Sequence, residues 1–169
     1  MSMPTPSSAG APAPEVIEIE RALTRATYLI SRTRQHERLM ALAGVALDRA
    51  AVTVLRQIAD SEPLRPGELA GRLAVEASHV TRQVQQLQKA GYVTRVPDRA
   101  DRRARRVELT PAGREAVRRI REASRRGVQR TLADWSPEEC RRLAALVRRL
   151  VDDFLVRADE EADPAVGPA

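Results

Sequence analysis

Residues 69–117 read LAGRLAVEASHVTRQVQQLQKAGYVTRVPDRADRRARRVELTPAGREAV, and their pattern carries most of the fold information in this chain. A helix is predicted from about 77 to 90, because apolar residues recur there at helical spacing. Its apolar side consists of Val80, Val84 and Leu87. Gly91 is expected to end this helix, and the alternating segments YVTRV and RRVEL then flank the charged tip PDRADRRA. With a short helix predicted to begin at Pro66, this order of elements indicates a winged helix-turn-helix.

The side of the predicted helix opposite Val84 carries polar and basic residues. It comprises Ser78, Arg82, Gln86 and Lys89, with His79 close by. No Asp or Glu occurs between positions 77 and 91, whereas an ordinary solvated helix face, the alternative interpretation, usually mixes both charge signs. Arginine pairs with guanine and glutamine with adenine in the major groove, so Arg82 is the main predicted base contact. Ser78, His79 and Thr81 lie near the helix start and are expected to reach bases or phosphates.

Arginines dominate the predicted hairpin. Six lie between positions 95 and 106, against the two acids Asp98 and Asp101. They are Arg95, Arg99, Arg102, Arg103, Arg105 and Arg106. An arginine on a hairpin tip can enter the narrow, negative minor groove beside an occupied major groove. The alternative, a loop that only confers solubility, is expected to carry a less one-sided charge, so Arg95, Arg102 and Arg103 are predicted DNA contacts.

Residues 69–117 resemble the signature region of the MarR family of winged helix-turn-helix transcription regulators. The triplet Asp101-Arg102-Arg103 matches the Asp-x-Arg motif of the family's wing, and VELTPAG (107–113) matches its return strand and the cap of the next helix. The resemblance implies that Arg103 enters the minor groove and that Asp101 orients it through a salt bridge. Arg65-Pro66 departs from the pattern, because Thr or Ser is commoner at that cap.

The same resemblance implies a function. The expected protein is a sequence-specific double-stranded DNA-binding transcription regulator, a ligand-responsive repressor that binds a near-palindromic operator as a homodimer. Members release DNA when a small-molecule inducer binds, and Tyr28 and His36 are the candidate ligand-binding residues in this chain. Redox sensing is the other family mode. Cys140 lies beside Glu138 and Glu139, which oppose formation of a thiolate, so a small buried filler is the favoured interpretation.

The expected fold class is mostly α with a small β-hairpin wing, a winged helix-turn-helix between N- and C-terminal dimerisation helices. The first helix is predicted to run unbroken from about 15 to 42. The predicted segments are a disordered tail at 1–14, a domain at 15–157 (dimerisation helices at 15–45 and 111–157, winged helix-turn-helix at 48–110) and an acidic flexible tail at 158–169.

Helix caps and apolar stripes outside the signature region support this layout. Asp48 and Thr110 are predicted N-caps, and Ser136 with Glu139 forms a predicted capping box. Gly44 is expected to end the first helical region. The first and last helices carry apolar stripes that so small a module cannot bury, which predicts pairing of two copies across a two-fold axis. Burial of part of these stripes in the chain's own core is the alternative.

Composition and charge narrow the function classes. The chain has 169 residues, 43% hydrophobic and 31% charged, with a net charge of +6. Residues 62–130 hold 17 of the 29 basic residues and 8 of the 23 acidic ones, which is typical of a polyanion-binding surface. A solvated arginine-rich face is the alternative. No signal peptide and no apolar run of about 18 residues is found, so we expect a cytoplasmic protein without a membrane partner.

Catalysis is not expected. The sequence has two histidines and shows no Ser/His/Asp set, glycine-rich phosphate loop or metal-spaced His/Cys cluster. We therefore expect no cofactor, no metal and no enzymatic activity. The alternative function is a winged-helix module that binds RNA or a protein partner, as an anti-regulator does, without specific DNA binding.

Overall fold

The computed structural model of the chain describes residues 11–61, 63–98, 101 and 104–162. Its elements, in chain order, are α1 Pro14–Ile30, α2 Thr33–Ala43, α3 Arg49–Ser61, α4 Pro66–Leu73, α5 Ala77–Lys89, β1 Val93–Pro97, β2 Arg105–Leu109, α6 Pro111–Thr131 and α7 Pro137–Ala162. The chain forms two compact units, and the boundary between them along the sequence lies between Ser124 and Arg125. The predicted tail at 1–14 falls largely outside the described residues, and α1 begins at Pro14.

The prediction of one unbroken first helix is wrong, because α1 ends at Ile30 and α2 begins at Thr33. Arg32 between them is extended, with ψ near 135°, and the Ser31 hydroxyl donates to the carbonyl of Tyr28. Arg49 of α3 contacts carbonyls on both sides of the break, of which that of Arg32 also accepts the amides of Gln35 and His36 in α2. Arg49 donates to the carbonyl oxygens of Arg32 at 2.7 Å and of Ile30 at 3.5 Å. At the carboxyl end of α1 a cation is favourable, because the negative end of the helix dipole lies there.

The predicted boundaries that depend on local caps are confirmed. Asp48 accepts the amide of Ala51 at 2.7 Å and so caps α3. Thr110 accepts the amide of Gly113 at 3.0 Å at the start of α6. Gly44 ends α2 with a left-handed φ of 64°. Each of these devices acts within a few residues, which explains why the sequence alone locates it.

The predicted winged helix-turn-helix order is confirmed in the first unit. Helices α3, α4 and α5 and the two-stranded antiparallel hairpin pack around one core. Its fully buried side chains include Leu55, Ile58, Leu69, Val80, Val84, Leu87 and Val107. Leu64, just before α4, forms an extra β-bridge with Val107, which attaches the hairpin to the rest of this unit. A second cluster of Met40, Ala43, Val52, Ile120 and Ala123 joins α2, α3 and α6.

In the second unit, α7 presents its apolar side chains to solvent. The predicted capping box is confirmed, since the Ser136 amide donates to Glu139 at 2.8 Å and the Glu139 amide donates to the Ser136 hydroxyl at 3.2 Å. The exposed apolar residues of α7 include Leu146, Val147, Val151, Phe154, Leu155 and Val156. The helix continues to Ala162, beyond the predicted domain end at 157, because alanine and glutamate favour helix. Among the described helices, none combines the length and apolarity of a membrane span.

Candidate nucleic-acid interface

Helix α5 is anchored by one face and exposes the other. Val80, Val84 and Leu87 are 1% exposed or less, so the helix cannot rotate without exposing apolar surface to water. The residues predicted to contact DNA lie mostly on the other side: Ser78, Arg82, Gln86 and Lys89 are exposed and His79 is half-buried. The structure thus brings these five predicted residues to the solvent face of one rigid helix.

Two local hydrogen bonds shape the N-terminal half of this face. Arg82 donates through Nη2 to Nδ1 of His79 at 3.2 Å, one turn earlier, so both side chains point to the same side. The hydroxyl of Thr81 donates to the carbonyl of Ala77 at 2.8 Å, and Thr81 is half-buried. Thr81 therefore has an acceptor lone pair but not its proton for a ligand, while Arg82 keeps most of its five donors.

The wing extends from the same unit. In the ladder, Arg95 is paired with Val107 and is half-buried rather than fully extended into solvent. Its buried Nε has no acceptor among the described residues. At the tip, the Ala104 amide donates to the carbonyl of Asp101 at 2.9 Å, and Asp101 is exposed. Arg102 and Arg103, predicted as DNA contacts, lie outside the described residues, so their roles stay predictions.

The base of the wing contains an ion-pair cluster that sequence reasoning missed. The side chain of Asp98 is 1% exposed, and its Oδ2 accepts from Nε of Arg65 and Nε of Arg106, both at 2.8 Å. The hydrogen bond from Arg65 to Asp98 and the charge of Asp98 raise the pKa of the Arg65 guanidinium. By sequence, Arg106 is only one of six wing arginines. The sole sequence signal was an acid within a basic run.

The candidate ligand-binding residues have structural partners of their own. Tyr28 on α1 is 63% exposed, and the guanidinium of Arg32 lies over its ring at 5.4 Å. His36 on α2 is half-buried and donates through Nε2 to the carbonyl of Leu47 at 2.8 Å. His36 thus tethers the segment between α2 and α3. Cys140 is half-buried in the first turns of α7.

Comparisons with known proteins agree with this geometry. Residues 47–104 match the family model described as MarR family. The chain is 25% identical over 103 residues to the HTH-type transcriptional regulator PapX of Escherichia coli, a match that covers 61% of the chain and 63% of PapX. Across the first curated relatives, the match spans between 37% and 63% of the relative's length.

Solved structures extend the likeness to most of the chain. A MarR family protein from Bacillus stearothermophilus superposes with a TM-score of 0.76 at 19% identity and covers 86% of this chain and 99% of its own. A transcriptional regulator from Thermotoga maritima gives a TM-score of 0.61 at 27% identity and covers 85% of this chain and 98% of its own. The match to the MarR family model runs from the approach to α3 through the wing, and the structural likeness extends the same fold to the flanking helices.

Proposed function

We propose that this protein is a sequence-specific double-stranded DNA-binding transcription regulator and that it acts as a repressor. The observation that carries the proposal is the solvent face of α5. Arg82, Gln86 and Lys89 are exposed there, on a helix whose residues 77–89 include no acid and whose other face is buried in the core. An anchored helix of this kind fits the major groove, where Arg and Gln read guanine and adenine.

The electrostatics of the first unit support DNA as the polyanion. The wing arginines follow α5 directly in the chain, and the hairpin is attached to the same core. Contacts from basic side chains to phosphates supply most of the non-specific affinity of DNA-binding proteins and set their register. We propose that Arg82 contacts a base in the major groove and that Arg103 contacts the adjacent minor groove. Ser78 and His79 are proposed to contact phosphates, and Thr81, whose hydroxyl can still accept, a base edge.

A homodimer is the second part of the proposal. Leu146, Phe154 and Leu155 on α7 are each more than half exposed, and so are Tyr28 and Ile30 on α1. Exposed apolar side chains in such numbers mark an association surface. A second copy of the chain would bury the apolar stripes of α1 and α7. The two-fold symmetry of such a dimer matches a near-palindromic operator, with one half-site for each α5.

The proposed repression results from occupation of the DNA by the dimer. A dimer seated in both grooves excludes other proteins from the same DNA, which is repression. We propose that a small-molecule inducer relieves it. Tyr28 and His36 are the candidate contacts; binding at His36 competes with the hydrogen bond to Leu47, which ties α2 to the approach of the winged helix-turn-helix.

The decisive experiment titrates the protein against duplex DNA from the region upstream of its own gene, with unrelated competitor DNA present. We expect tight binding to a near-palindromic site. Between about 50 and 200 mM salt, affinity is expected to fall at least about a hundredfold, because several phosphates are neutralised. Binding that is weak, sequence-blind and indifferent to salt contradicts the proposal and directs the search to an RNA or protein partner.

The dimer is tested by sedimentation equilibrium. The unmodified chain is expected to sediment at twice its mass of 18.7 kDa. Leu146→Gln on α7 is expected to shift it towards the monomer, because it removes apolar surface from the proposed contact. Arg148→Gln, an exposed polar change on the same helix, serves as the control and is expected to leave the mass unchanged.

A further inference from the structure

A buried carboxylate lies at the base of the wing, where the DNA-binding proposal assigns it no task. The side chain of Asp98 is 1% exposed, although it is charged and directly follows β1. A buried charge is costly unless it is paired and hydrogen-bonded. The buried position of Asp98 therefore depends on the side chains that pair with its carboxylate.

These partners come from separate segments of the chain. Nε of Arg65, at the start of α4, and Nε of Arg106, in β2, both donate to Oδ2 of Asp98 at 2.8 Å. Arg106 also donates through Nη1 to the carbonyl of Pro63 at 3.0 Å. Asp98 thus connects the end of β1, the opposite strand and the residues that lead into α4.

Backbone hydrogen bonds reinforce the same junction. Leu64 and Val107 exchange two of them, at 3.2 and 2.8 Å. On the wing side, the Asp98 amide donates to the carbonyl of Ala104 at 3.1 Å, and Oδ1 accepts the Asp101 amide at 3.4 Å. One carboxylate therefore contacts the wing tip through Oδ1 and the start of α4 through Oδ2. Since α4 packs on α5, these contacts connect the wing to the helix that carries Arg82.

We propose that Asp98 is a positioning residue for DNA binding, which holds Arg65 and Arg106 so that the wing tip keeps a set distance and direction from α5. The proposal rests on the DNA-binding function proposed above. A duplex presents its major and minor grooves at a defined separation, so a protein that uses both loses affinity when one contact element moves relative to the other. Asp98 needs no contact with DNA to act in this way.

Charge and positioning predict opposite effects when Asp98 is neutralised. Asp98→Asn removes one negative charge beside the wing arginines. By charge alone, binding to any duplex becomes tighter, because the protein field becomes more positive. By positioning, binding to the preferred duplex becomes weaker, because both arginines lose their charged anchor. The sign of the change in specific affinity therefore separates the two accounts.

The test uses the full chain and a preferred duplex obtained by selection from a random-sequence pool, with a scrambled duplex of equal length. For Asp98→Asn we expect at least about a tenfold loss on the preferred duplex, the size of one lost base-pair contact, and no loss on the scrambled one. Glu108→Gln, the matched control, removes the same charge from a half-buried position in β2. It is expected to bind both duplexes at least as tightly as the unmodified chain.

Arg106→Lys is the second test variant, which decides the question if circular dichroism shows that Asp98→Asn is unfolded at the assay temperature. It keeps the net charge, but one ammonium group cannot reproduce the two-directional contact with Asp98 and Pro63. We expect about a threefold or larger loss on the preferred duplex alone. Wild-type affinity in both variants overturns the role of Asp98. A pool that yields no enriched duplex instead refutes the proposed function itself.

Discussion

Gly113 in the first turn of α6 packs directly against the backbone of Tyr92, the residue that precedes β1. A Cβ at Gly113 would overlap the carbonyl oxygen of Tyr92. That same carbonyl accepts the amide of Thr110 at 3.0 Å, and the Thr110 hydroxyl donates to the carbonyl of Gly91 at 2.6 Å. The start of α6 is thereby fixed against the end of the α5 region, and only glycine allows this distance.

Gly113→Ala is therefore expected to destabilise the protein, although alanine is normally the better helix residue. The helix gain is about 1 kcal/mol, whereas forcing the backbones apart costs about 3 kcal/mol, which leaves a net loss of about 2 kcal/mol. Gly127→Ala in the same helix is the control, because nothing lies within 4 Å of a Cβ there. It is expected to stabilise by up to about 1 kcal/mol. Urea unfolding at fixed protein concentration measures both, and a stabilised Gly113→Ala contradicts the packing argument.

Ala74 ends α4 in a left-handed conformation, with φ 50° and ψ 44°. An L-residue with a Cβ is strained there, so Ala74→Gly is expected to raise the free energy of unfolding by about 1 kcal/mol. Ala90, the C-cap of α5, has φ −77° instead. Ala90→Gly is expected to lower the free energy of unfolding by about 0.5 kcal/mol, because no strain is relieved there and only the entropic cost of glycine remains. Thermal unfolding of the two variants should shift in opposite directions; equal shifts would refute the assignment of strain to Ala74.

Arg82→Ala is expected to weaken binding to the preferred duplex by about 1–3 kcal/mol and to relax the preference at one base position. The reason is the loss of a bidentate donor from the exposed face of α5. Arg34→Ala removes the same charge from an exposed position on α2, outside the winged helix-turn-helix. Its effect should be small and equal for all sequences. Fluorescence anisotropy on a panel of single-base variants gives both numbers, and identical profiles for the two variants would exclude Arg82 as a base contact.

Acid titration should reveal the pairing at Glu115 on α6. Hydrogen bonds from Arg118, at 2.7 Å, and from Arg119, at 2.8 Å, lower the pKa of the Glu115 carboxyl from its ordinary 4.5 to about 2. A lowered folded-state pKa means that this stabilisation is present above pH 4.5 and is lost as the pH falls towards 2. Glu115→Gln should remove this part of the acid dependence of stability.

The carboxyl signal of Glu115, followed by NMR, tests this directly. Because the side chains are exposed, about 1 M salt should screen the ion pairs and return the Glu115 pKa towards its ordinary value. A midpoint near 4.5 already at low salt would show that the pairing does not form in solution.

Much of the winged helix-turn-helix follows from short-range sequence signals. The anchored face of α5, the caps at Asp48 and Thr110, and the left-handed glycine at position 44 each depend on residues within one or two turns. Helical periodicity and side-chain capping act over that range, so a single sequence contains all of the required information. The exposure of Arg82, Gln86 and Lys89 follows as well, because burying one side of a helix exposes the other.

Contacts between distant residues determine the remaining features. At the break between α1 and α2, Arg49 donates to carbonyls 17 and 19 residues earlier in the chain. Asp98 pairs with Arg65, which lies 33 residues before it. In the sequence, Asp98 is one acid among many arginines, and nothing local states which arginine it meets or that it is buried. A buried ion pair forms only where packing brings opposite charges together and removes water, and that depends on the folded chain as a whole.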